Sequence, residues 1–301
     1  MAWRIVQTHK IFLHYAFFYR TVCLSGHESF PCKTLWLKKG YDFILGNNNF
    51  NAADAVVKLG VGKNMVASIR YWMRSFGLLK EDGLTEVARF VFDNNTGMDP
   101  YVEDLGTLWL LHYLLISTRE ATLYNLLFKR FQRERRVFER QHVISFVKRY
   151  MAEIGKLKAY NENTVKKDVA VLLQNYVQPI RAQAMDDYST LLIELDLIRT
   201  SDGKQYMFNQ EGKRQLPVDI LMYAILEEKK ADNSVDYDTL QNIGLMFCLS
   251  DMELISSLLL LQERYYNAIR YSDTAGLRQV QFLKRIESVD VLRNYYQNEK
   301  F

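Results

Sequence analysis

The sequence predicts a mainly α fold with small β-hairpin wings, arranged as tandem winged-helix-like domains. Three observations predict it. Apolar residues recur with helical period in pairs of helices, and each pair is followed by a short stretch that reads as a hairpin. Two of those stretches hold Asp-Gly, at 82–83 and 202–203, a strong hairpin signal. With 4 prolines and 14 glycines in 301 residues, long flexible linkers and collagen-like or mucin-like segments are excluded. Length allows two or three domains at roughly 100–200 residues each. The helix pairs set their limits at 1–118, 119–215 and 216–301. An apolar fraction of 49% and a charged fraction of 25% supply ordinary globular cores.

The chain opens on a basic start and an apolar run, IFLHYAFFY at 11–19. His14 interrupts that run, Arg20 closes it, and no small-residue cleavage site follows. It is also too short to span a bilayer. A core strand or helix, or residues from an early start codon, is expected there, with a cytoplasmic location and no membrane partner.

Next comes SGHESFPCKTLWLKKGYDF at 25–43. His27 and Glu28 follow a glycine, and Lys33, Lys38 and Lys39 come after them. An imidazole beside a carboxylate suits a catalytic role, binding a divalent metal (magnesium or manganese) or serving as acid and base near a phosphate. The competing reading has Ser25 capping a helix, His27 bonded locally, and Phe30, Leu35 and Trp36 in a core. Sequence alone favours the second. Cys23, His27 and Cys32 lack the tight Cys-x2–4-Cys pair of a structural zinc site. Three cysteines in all point to free thiols in a reducing compartment.

The first helix pair is NAADAVVKL at 51–59, a Gly60-Val61-Gly62 turn, and a helix from Lys63 with Met65, Ile69, Met73 and Phe76 on one face. Gly60, Gly62 and Lys63 are not a phosphate loop, because G-x-x-x-x-G-K-[S/T] fails at Val57 and Asn64. The opposite face carries Asn64, Ser68, Tyr71 and Ser75, flanked by Lys63, Arg70 and Arg74. As a recognition helix it would use Asn64, Ser68 and Tyr71 on base edges, and Lys63 and Arg74 on phosphates. LLKEDGLT at 78–85 reads as its wing, ending on a capping Thr85.

The second pair spans 141–155 and 161–177. Its second helix has an apolar stripe of Val165, Val169, Leu172, Leu173 and Tyr176, leaving Asn163, Thr164, Lys166, Lys167, Ala170 and Gln174 outside. LIRTSDGKQYMF at 197–208 is the wing. Between 119 and 158 there are 11 Lys or Arg against 4 Glu, whereas the whole chain nets only +4. The densest part, 129–140, holds Arg133, Arg135 and Arg136. It reads either as a solvated helix face or as a stripe for a phosphate backbone, and its position just before Lys166 and Lys167 favours the stripe.

In the third pair Ser250 and Glu253 form a capping box for a helix from Asp251. That helix is apolar on most sides and starts acidic, so packing rather than phosphate contact is expected of it. A hairpin at 268–282 follows. Asp219 with Glu227 and Glu228 superficially suggests a nuclease acidic site, but the segment is helical in pattern and reads as a charged helix end.

SGHESFPCKTLWLKKGYD, DAVVKLGVGKNMVASIRYWMRSFGLL and ENTVKKDVAVLLQNYV together resemble a bacterial family catalogued as domain-of-unknown-function family 4007. The likeness runs from about Leu24 to the C-terminus. The first two motifs are distinctive, and the third is common to many helix-turn-helix proteins. The resemblance implies a place in DNA phosphorothioation and phage defence, with one DNA strand nicked to admit sulfur. Implied partners are DNA, a cysteine desulfurase, an ATPase and a PAPS-reductase-like protein; a homodimer is a further candidate. A non-catalytic adaptor that recruits the sulfur-transfer enzymes and a winged-helix transcriptional regulator are the competing functions.

Overall fold

The computed structural model describes residues 22–81, 83–118, 120–179, 189–229, 231–274 and 276–298. The apolar N-terminal run, Asp82 of the first turn and Arg119 at the start of the basic region lie outside them. The chain is mainly α with small antiparallel sheets.

It begins with α1 (Trp36–Leu45), α2 (Ala55–Leu59) and α3 (Lys63–Ser75). Helix α2 stops where Gly60 turns left-handed at φ 63°. Strands β1 (Leu79–Lys80) and β2 (Gly83–Leu84) pair with Leu79 opposite Leu84. Thr85 caps α4 (Glu86–Phe92), its hydroxyl accepting from the Ala88 amide.

Helix α5 (Leu105–Ser117) is apolar around most of its circumference and buried at 10 of its 13 positions, as a core helix should be. His112 on α5 joins later parts of the chain. Its Nε2 donates to the Met246 carbonyl at 2.6 Å, and its Nδ1 accepts from the Tyr176 hydroxyl at 2.9 Å. Burial lowers its pKa from 6.5 to about 3. Below pH 6.5 the unfolded chain therefore binds a proton that the native chain refuses, and stability falls as pH drops towards 3. Urea midpoints taken across that window should decline, and His112→Gln, which does not titrate, should decline less steeply.

Two later stretches share one topology. Helix α6 (Thr122–Leu126) runs through a π-helical turn at Leu127–Phe131 and a last turn at Gln132–Glu134 into β3 (Val137–Glu139). Then come α7 (Arg140–Glu153), α8 (Glu162–Tyr176), β4 (Ile198–Thr200) and β5 (Gln205–Phe208). After α9 (Val218–Lys229) the pattern repeats as β6 (Ser234–Asp236), α10 (Tyr237–Met246), α11 (Asp251–Arg264), β7 (Ile269–Thr274) and β8 (Leu277–Phe282). In each case the strand before the helix pair adds to the last strand of the hairpin, giving orders β3-β5-β4 and β6-β8-β7. The Ser250–Glu253 capping box is present at α11. Helix α12 (Ser288–Asn298) packs back on the start of α5, so closely that a Cβ on Gly106 would lie 2.4 Å from the Tyr295 hydroxyl.

The basic run 129–140 is not one helix face. It crosses the π-helical turn, a short helix end, an extended Arg135 and strand β3. Asp219 is buried and held by Arg264 on both carboxylate oxygens and by the Tyr265 hydroxyl, which occupies it structurally. Among the described residues no single helix is long and apolar enough to cross a membrane.

Candidate nucleic-acid interface

Helix α3 departs in part from its expected face. Lys63 and Asn64 stand exposed on its first turn, and Arg70 and Arg74 are half-exposed. Arg70 donates to the Asn51 side chain at 2.8 Å, and Arg74 pairs with Glu120 at 3.2 Å. Ser68 is fully buried, its hydroxyl donating to the His27 carbonyl at 3.0 Å. Tyr71 is half-buried, with its ring edge-on to His27 at 5.8 Å. Ser68 therefore cannot reach a base edge, and Tyr71 is committed to packing. The reason is tertiary: residues 25–30 cover the face opposite Met73, so α3 is packed on two sides rather than one. Lys63, Arg70 and Arg74 remain together, lining a cleft of about 810 Å³.

The covering loop is a clamp built on His27. A backbone amide can only donate, so the Ser29 N–H, 3.1 Å from Nδ1, makes that nitrogen an acceptor. The ring proton then lies on Nε2 and is given to Asp168 Oδ1 at 2.8 Å. Asp168 Oδ2 accepts from the Ser25 amide at 2.9 Å. The imidazole stacks on Trp72, whose indole donates to the Phe30 carbonyl at 3.1 Å. Ser25, Gly26, Glu28 and Ser29 all have positive φ (78°, 117°, 47° and 65°), and the non-glycine ones are strained by roughly 1–3 kcal/mol each. Gly26 is required, since a Cβ there would meet the Tyr71 ring at 2.6 Å. Ser25 thus does not cap a helix.

The consequences for the predicted catalytic pair are direct. His27 is buried with both nitrogens engaged, while Glu28 is exposed on the same loop. Of the lysines that follow, Lys38 is buried against Asp42 and Asn94, and Lys39 donates to the Leu59 carbonyl at 3.1 Å. Cys32 and Cys248 are buried free thiols, and Cys23 is half-buried. Burial holds the Cys32 thiol well above its ordinary pKa.

Two residues absent from the sequence reading tie this loop to α8. Asp168 is one. Asn175 is the other: it accepts from the Cys32 amide at 3.0 Å and donates to the Tyr124 hydroxyl at 2.7 Å. Both sit inside the apolar stripe of α8, Asp168 between Val165 and Leu172 and Asn175 two turns after Asp168. A polar side chain within such a stripe was the available signal.

The outward face of α8 agrees with its periodicity. Lys166 and Lys167 are exposed, Lys166 pairing with Glu162 at 2.7 Å. Arg133, Arg135 and Arg136 are exposed as well, and Arg133 donates to the Asn242 side chain at 2.7 Å. They belong to the turn before β3, apart from α8 in sequence but within the same strand–helix–helix–hairpin unit.

A family profile described as a protein of unknown function (DUF4007) matches residues 24–296. The chain belongs to the DUF4007 family. Two solved structures resemble this DUF4007 member. One is a magnesium ion-bound crystal structure of SspB, with a TM-score of 0.81, 27% identity, and coverage of 92% of this chain and 89% of that one. The other is a crystal structure of SspB with a TM-score of 0.78 and the same identity and coverage. No curated protein matches the chain. Among the described residues of this DUF4007 chain, no three His, Cys, Asp or Glu side chains converge into a group fit to hold a metal ion. Asp168 has both oxygens engaged in the clamp, which leaves Glu28 alone on that loop. The side chains around His27 therefore do not by themselves build a magnesium site.

Proposed function

We propose that the chain binds DNA as a component of a phosphorothioation and phage-defence system and nicks one strand to admit sulfur. The observation that carries this reading is the likeness to SspB over 92% of the chain at 27% identity. The strand–helix–helix–hairpin order of 137–208 and 234–282 supports two winged-helix domains, at 119–215 and 216–301, behind a helix-turn-helix domain at 1–118. In that arrangement α8 is the recognition helix of the middle domain, with Lys166 and Lys167 towards the duplex and Arg133, Arg135 and Arg136 on the flanking backbone. Lys63, Asn64, Arg70 and Arg74 form a second contact. A cysteine desulfurase, an ATPase and a PAPS-reductase-like protein are the partners this reading requires.

One observation favours a second reading. His27 has no nitrogen left for proton transfer, which suits an adaptor that holds DNA for other enzymes. Supercoiled plasmid incubated with the purified chain separates the two. Open circles formed with magnesium and abolished by a chelator support a nickase; binding without relaxation supports the adaptor. Glu28 is exposed, so Glu28→Ala should melt within a degree or two of wild type, and a nicking defect in it would place chemistry at the loop. Full activity in that variant would move the chemistry elsewhere.

A further inference from the structure

The outer face of α8 borders a groove of about 560 Å³ that none of the residues proposed above lines. Ala170 and Gln174 of α8 form one side, Gly203 and Tyr206 of the β4–β5 hairpin a second, and Ser29, Phe30, Pro31 and Lys33 with Met65 a third. Among the described residues that line it, the charged ones are Arg140 and Lys33, and Lys33 has a partner of its own.

Arg140 is held ready for an anion. Its Nε donates to the Tyr206 hydroxyl at 3.1 Å, and that hydroxyl donates in turn to the Gly203 carbonyl at 2.7 Å. The guanidinium is thereby fixed, while its two terminal nitrogens have no hydrogen-bond partner among the described residues. A planar fork with one nitrogen anchored is pre-organised for bidentate phosphate contact. Among the described residues Arg140 forms no ion pair with the neighbouring Glu139.

The groove's volume falls within the ~300–1,000 Å³ of pockets that receive a small ligand, room enough for a single nucleotide. Half-buried Phe30 and Met65 offer apolar surface for an unstacked base, and the exposed Gln174 amide can both donate and accept. We infer that the groove holds one unpaired DNA strand, with Arg140 forking onto a phosphate. The inference rests on the DNA-binding reading and adds the form of DNA engaged.

A fluorescein-labelled oligothymidylate and a duplex of equal length, titrated by anisotropy over a range of salt, test it. Arg140→Ala should weaken the single strand about tenfold or more and lower its log–log salt slope by about 0.7. Gln174→Trp, a substitution on an exposed face, should fill the groove and weaken the single strand more than the duplex. Tyr206→Phe should fall between wild type and Arg140→Ala, because it frees the guanidinium without removing it. Unaltered oligothymidylate binding in folded Arg140→Ala and Gln174→Trp, with duplex binding intact, overturns the groove assignment alone. Equal weakening of both DNA forms by Gln174→Trp also overturns it. Failure of the wild type to bind either form removes the DNA reading with it.

Discussion

Replacing Asp168 with alanine should lower the melting temperature by on the order of 10 °C. The carboxylate is buried and accepts from both the His27 ring and the Ser25 amide. Its removal leaves the buried His27 ring N–H and the part-buried Ser25 amide without partners, at about 1–3 kcal/mol for each orphaned donor. At ~2–4 °C per kcal/mol for larger domains, a shift of that order follows. Relief of strain offsets part of this loss, because the left-handed residues at 25, 28 and 29 relax once the clamp no longer over-determines them. Asp168→Asn should be milder, retaining one acceptor of the two. His27→Ala should resemble Asp168→Ala, since each orphans the other. A melting temperature unchanged in Asp168→Ala would show that the loop is held by its packing on Trp72 and Tyr71 instead.

The largest effect on DNA binding is expected from Arg133, Arg135 and Arg136 replaced together by glutamine. All three are exposed, so the fold should survive. If each meets one phosphate, the log–log salt slope for duplex binding should fall by about 2.7, at ~0.9 per contact. Lys166→Gln with Lys167→Gln should remove up to about 1.8 more by the same rule. The Lys166 share is smaller if its bond to Glu162 persists in the complex. A slope that does not move in the arginine variant would make that turn ordinary solvated surface.

What the sequence disclosed was local. Period 3.6 placed α3 and α8, Asp202-Gly203 placed the β4–β5 turn, and Ser250 with Glu253 placed the start of α11. Those signals depend on neighbours along the chain, which a sequence displays. The backbone of the basic run at 129–140 was not legible, because charge alone carries no period and the chain changes from helix to strand within those twelve positions. Ser68 misled for a different reason. A serine opposite an apolar stripe looks solvated until a remote segment covers it, and nothing near Ser68 announces residues 25–30. The same remoteness hid the Asp168–His27 pair, each member ordinary in its own context.

That pair has a consequence for how the chain is made. Its partners are 141 residues apart, and the Thr34 amide bonds to the Ser189 carbonyl 155 residues on. On the ribosome, at ~5–20 residues per second, residues 25–34 emerge many seconds before the side of α8 that receives them. The segment cannot dock before α8 has been made, and closing so large a loop carries an entropic cost. Until then the face of α3 that it covers, with Ser68, Trp72 and Tyr71, stays open to solvent on the nascent chain.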